Sequence, residues 1–212
     1  AGLFLRGNWR LATNPFPLIT LLYAFLLIIG VNIVLDPLTS LTPVSDVLIR
    51  MMHAMRADPL PFLFVTVIAA PVLEELMFRG IILDGYLKNY RPMQGILISA
   101  LLFGLIHGNL TQGICAGILG IIFGWVYWRT GSIIPVIFLH FVNNGLAFAG
   151  TLMTDEADLT KSLRETMGND TQYYVLYALC VPATIGLIYV LNKTLPKGVS
   201  VSENNQEPPV AP

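Results

Sequence analysis

Residues 70–79, Ala-Pro-Val-Leu-Glu-Glu-Leu-Met-Phe-Arg, place two adjacent glutamates and an arginine in a run otherwise as apolar as a membrane span. A charged side chain in hydrocarbon costs at least about 2.5–3.5 kcal/mol on insertion scales. Glu74, Glu75 and Arg79 therefore need partners, water or a chemical task. On a helix Glu75 and Arg79 lie four residues apart on one face, with the acid N-terminal to the base, and form a structural ion pair. Glu74 points about 100° further round the helix, so the same arginine neutralises it less easily. The spacing predicts that the rest of the chain places something opposite Glu74.

That run is one of several. Of the 212 residues, 55% are hydrophobic and only 12% charged, whereas soluble domains carry about a quarter charged residues. The expected fold class is all-α, a polytopic transmembrane bundle of about six spans plus a short interfacial amphipathic helix. The net charge of -1 gives no reason to expect nucleic acid. Cys115 and Cys180 both sit in apolar runs, which excludes a disulfide framework or zinc-finger spacing. The first residue is Ala1 rather than Met, which leaves room for an N-terminal piece before it, and the first apolar run leads to Asn32 and Asp36 without a signal-peptidase site.

Four segments are expected. Residues 1–58 hold interfacial Arg6, Trp9 and Arg10, a first span over 16–35, and a surface helix over 44–55 with Val44, Leu48, Met51, Met52 and Met55 on one side and a solvated His53. Residues 59–150 form a core of four membrane helices, at about 59–87, 93–107, 111–128 and 133–150. Residues 151–192 supply a polar loop with a short helix and a last span over 173–191, and 193–212 read as a disordered tail. Gly113, Gly117, Gly120 and Gly124 form a smooth stripe for close helix packing.

With six spans, one side collects Arg6, Arg10, Lys88, Arg91, Arg129, Lys193 and Lys197, against Arg50, Arg56, Lys161 and Arg164 on the other. The expected localisation is a multi-pass cell-membrane protein with both termini cytoplasmic.

Few groups in these spans can move a proton: Glu74, Glu75, His107 and His140, with Asn143 and Asn144 nearby. A carboxylate and imidazoles drawn from separate helices are satisfied by one another or by trapped water. Such a pair is poised to deprotonate water, and a second histidine with an amide can stabilise an oxyanion. Glu74 reaches His107 only if the second helix is long and continues through Gly80 and Asp84.

Glu74-Glu75-x-x-x-Arg79, Phe103-x-x-x-His107 and His140-x-x-x-Asn144 together resemble the three motifs of the CAAX protease and bacteriocin-processing (Abi) family of intramembrane endopeptidases. The resemblance covers about 59–150. It implies that Glu74 and His107 activate the attacking water, that His140 and Asn144 stabilise the tetrahedral oxyanion, and that Glu75, Arg79 and Phe103 support them. Family members commonly have about eight spans. A prenylated substrate belongs to the eukaryotic branch and is not carried over.

The expected activity is hydrolysis of a peptide bond of a membrane-associated peptide or protein, with the lipid bilayer as the other partner. One glutamate and two histidines are enough ligands for zinc, but there is no H-E-x-x-H helix, and a metal-free site with no cofactor is favoured. The alternative is a non-proteolytic binding partner in bacteriocin self-immunity or sensor-kinase regulation. A proton-coupled transporter is less favoured, because paired broken-helix repeats are missing from the sequence.

Overall fold

The structure, a computed structural model, describes residues 11–39, 43–196 and 198. The expected interfacial residues Arg6, Trp9 and Arg10, and the expected tail apart from 193–196 and 198, lie outside the described residues. Eight helices account for most of the rest: α1 (Ile19–Thr39), α2 (Asp46–Ala57), α3 (Pro59–Leu87), α4 (Pro92–Leu105), α5 (Leu110–Thr130), α6 (Ile134–Met153), α7 (Leu163–Met167) and α8 (Asp170–Thr194). Among the described residues the only extended pairing is a single bridge between Thr13 and Ser132.

Five helices (α1, α3, α5, α6 and α8) are long and apolar enough to cross a membrane. The third expected span is shorter than the sequence suggested. Helix α4 has 14 residues, about 21 Å against the roughly 30 Å of a bilayer core. It stops because Gly108 adopts φ 67° and Asn109 caps α5, its side chain accepting from the Gln112 N–H. The last helix runs to Thr194, so the expected tail boundary at 193 falls inside it.

Helix α3 is continuous for 29 residues, as the depth argument required. It is not uniform: Leu63–Ala69 and Leu76–Leu83 are π-helical, on either side of an α-helical turn at Ala70–Glu75. Pro71 accounts for the first of these. It has no N–H to close an i→i+5 bond onto the Thr66 carbonyl, and the Ala70 N–H goes to Val65 instead. An extra residue in the turn is a common local answer to such a break.

The glycine stripe of α5 meets α4. A Cβ on Gly104 would lie 2.5 Å from the Gly113 carbonyl oxygen, and one on Gly120 would lie 3.1 Å from Ala100 Cα. Helix α8 packs along α1, and α6 touches both α1 and α3. The largest core cluster joins Leu27 and Ile28 of α1, Ile96 of α4, Phe123 and Val126 of α5 and Leu139 of α6.

The amphipathic helix forms at Asp46–Ala57, with Ser45 accepting from the Leu48 N–H at 3.3 Å. Met55 packs with Val67 and Phe148, while Val47 and Met51 stay exposed. His53 is exposed as expected but also pairs with Glu156 at 3.0 Å. Arg56 donates to the carbonyls of Thr151 and Thr154 and so closes the C-terminal end of α6.

Candidate active site

Helix α3 brings Glu74 and Glu75 to the middle of the bundle, and the α-helical turn between its two π segments points them to different surroundings. Glu75 is fully buried; the Glu74 side chain keeps 27% of its surface exposed. Arg79, also fully buried, donates from Nη1 to Glu75 Oε1 at 2.8 Å and from Nη2 to the Gly120 carbonyl at 3.1 Å. Its guanidinium lies 4.6 Å from the centroid of the Phe103 ring and 5.4 Å from that of Phe123. The expected ion pair therefore exists, and the glycine stripe is what lets the arginine reach a backbone oxygen on α5.

His140 from α6 sits on this pair. Its Nδ1 lies 2.7 Å from Glu75 Oε1, and its Nε2 lies 3.8 Å from Glu74 Oε2. One imidazole thus bridges the two neighbouring carboxylates, held on one side by a salt-bridged acid and presented on the other to the accessible one. A buried carboxylate that also pairs with arginine accepts the Nδ1–H, which fixes the ring's orientation.

His107 arrives differently from the expectation. Its Nδ1 lies 2.8 Å from the Phe103 carbonyl. A carbonyl only accepts, so Nδ1 carries the hydrogen and a neutral ring leaves Nε2 as the basic nitrogen. Among the described residues His107 shares no hydrogen bond or ion pair with Glu74. Phe103 stands between the histidines, edge-on to both, with ring centroids 5.0 Å from His107 and 5.6 Å from His140. Phe103 is more than filler: it is 2% exposed and contacts both histidines and the arginine.

Asn144, one turn beyond His140, donates from Nδ2 to the Thr66 carbonyl at 2.8 Å, the oxygen that Pro71 leaves without its partner. It accepts from Asn143 Nδ2 at 3.2 Å, and Asn143 accepts from Asn32 Nδ2 of α1 at 3.1 Å. The reading of the sequence missed Asn32, which it took only as the end of an apolar run. An amide inside a run of Leu, Ile and Val was the available signal.

Among the described residues no three His, Cys, Asp or Glu side chains converge as metal ligands. Glu75 and His140 Nδ1 are engaged with each other, which leaves Glu74 and the Nε2 atoms of His140 and His107 as donors, and among the described residues these three do not converge as the three protein ligands of a catalytic zinc must. The donors present do not fit a zinc site.

A family profile described as "Type II CAAX prenyl endopeptidase Rce1-like" matches residues 56–146, a window that holds Glu74, His107, His140 and Asn144. A Bacillus subtilis (strain 168) protein described as "Putative membrane peptidase YdiL" is 32% identical over 93 residues, 44% of this chain and 38% of the relative. The match thus spans well under half of that relative. No solved structure matches the chain. The motif residues and the profile coincide over one region, and residues 56–146 are similar to the Rce1-like type II CAAX prenyl endopeptidase family.

Proposed function

We propose that the chain is an intramembrane endopeptidase that cuts a membrane-associated peptide or protein with a water activated by Glu74. The observation that supports this reading is the Glu74–His140–Glu75–Arg79 chain: an accessible carboxylate 3.8 Å from an imidazole, itself anchored by a buried ion pair. A scaffold has no physical need for a second acid in a membrane-spanning segment.

In the proposed reaction Glu74, assisted by His107 Nε2, takes a proton from water while the water oxygen attacks the carbonyl carbon. The carbonyl electrons move to its oxygen. His140, when doubly protonated, donates from Nδ1 to Glu75 and from Nε2 to the oxyanion, and the second Nδ2 hydrogen of Asn144 adds another donor. The tetrahedral intermediate collapses, the C–N bond breaks, and the proton held by Glu74 passes to the leaving amine. With α4 counted as a sixth crossing, the excess of Lys and Arg on one side supports cytoplasmic termini.

The test is cleavage of a pool of membrane-spanning peptides by the purified full chain. Glu74→Ala and His107→Ala are each expected to lower product formation by roughly 100-fold or more, the scale of a lost general base. Chelator is expected to leave the wild-type rate unchanged; loss restored by zinc would overturn the metal-free mechanism. Absence of product from the wild-type chain with every peptide would overturn the peptidase reading.

A further inference from the structure

Asn32 lies in the apolar stretch of α1, about 20 Å along the helix from Ile19 and about 10 Å from its other end at Thr39, and is exposed. An exposed amide at such a depth is expensive unless something meets it. It joins a row of amides that crosses α6 from α1 to α3: Asn32 to Asn143, Asn143 to Asn144, and Asn144 to the Thr66 carbonyl. The row ends one helical turn from His140, whose Nε2 lies 3.8 Å from Glu74.

Amides that only hold helices together use their polar atoms on one another. This row does not close. Asn32 Nδ2 gives both hydrogens away, to the Ile28 carbonyl at 2.9 Å and to Asn143 Oδ1, yet among the described residues Asn32 Oδ1 accepts nothing. Asn143 Nδ2 donates one of its two hydrogens. An open acceptor and an open donor therefore stand side by side on the way to the catalytic residues.

A second helix is a poor match for that pair, because its backbone groups are satisfied internally. A peptide being cut is a good match. Its segment must unwind to expose the scissile carbonyl, and each unwound residue brings an N–H and a C=O that hydrocarbon cannot satisfy. Extended backbone recognised through alternating donors and acceptors is a recurring mode of peptide binding.

We infer that Asn32 and Asn143 dock the extended backbone of the substrate beside the cleavage site, Asn32 Oδ1 accepting from a substrate N–H and Asn143 Nδ2 donating to a substrate carbonyl. The inference rests on the endopeptidase reading for the identity of the peptide. Asn32 and Asn143 are positioning residues: they set where the chain lies relative to Glu74 and take no proton.

The experiment uses synthetic single-span apolar peptides, each with one photoreactive residue, in vesicles containing the full chain with Glu74→Ala. Cross-links are expected in α1 around Asn32 and in α6 around Asn143. Asn32→Leu is expected to lower their yield by about three- to tenfold, the factor carried by one hydrogen bond, and Asn32→Gln to restore most of it. The thermal midpoints of both variants stay with that of the parent. Cross-links confined to other helices, a yield unchanged in Asn32→Leu, or a loss of yield that tracks a loss of thermal stability would each overturn the docking role. Restoring Glu74 separates the two readings. Peptides that cross-link at Asn32 yet stay intact would sink the peptidase and leave the docking. Peptides cut without cross-linking there would do the reverse.

Discussion

At Arg79 a guanidinium without exposed surface bonds Glu75 and the Gly120 carbonyl and lies against two phenylalanine rings. Breaking a buried ion pair by removing one partner costs about 3–5 kcal/mol, because the other charge stays buried and alone. Arg79→Leu is expected to lose about that much, read as thermal unfolding in detergent. Glu75→Gln with Arg79→Leu should lose less than the sum of the two single changes, by about 0.5–3 kcal/mol; simple additivity would mean that the pair does not act as a unit. The i,i+4 spacing made this pair legible in the sequence. The place of His140 between the two glutamates was not, because 65 residues separate it from Glu75 and only the approach of α6 to α3 brings them together.

Between α4 and α5 the limiting quantity is backbone separation. With 2.5 Å between a Gly104 Cβ and the Gly113 oxygen, no side chain has to move; the helices themselves must part. Gly104→Ala is therefore expected to cost about 1–3 kcal/mol, and to lower peptide cleavage because the parting moves Gly120 away from Arg79. Gly150→Ala in α6 meets nothing within 4 Å and should be neutral or stabilising by about 0.5–1 kcal/mol, as helix propensity dictates. Comparing their thermal midpoints checks both; equal midpoints would contradict the packing argument. The stripe on α5 was legible from its spacing of four, three and four. Its partner Gly104 was not, since the two glycines of α4, Gly95 and Gly104, stand too far apart in the sequence to mark a stripe. The π segments of α3 were also hidden: Pro71 marked a disturbance, but Asn144 of another helix satisfies the carbonyl it frees.

Across the molecule, Asp36 fastens the end of α1 to elements far along the chain. It accepts from the Leu163 N–H at 2.8 Å and the Tyr173 hydroxyl at 2.9 Å, and so holds both α7 and α8. A hydrogen bond to a charged group is worth about 1.5–3 kcal/mol. Asp36→Leu is thus expected to speed proteolytic nicking within residues 154–169 by roughly tenfold or more, with α3, α5 and α6 left intact. An unchanged nicking rate would show that the fastening is dispensable. The sequence by itself determined the helical class, the long α3, the surface helix and the identity of the charged and amide groups, because hydrocarbon makes length and polarity nearly decisive. Tertiary structure alone decided how those groups pair. The sequence set His107 opposite Glu74; in the folded chain His140 also lies 3.8 Å from Glu74, and Phe103 stands between the histidines. Periodicity says which face of a helix a residue occupies; helix packing, here set by glycines and one proline, says what that face meets.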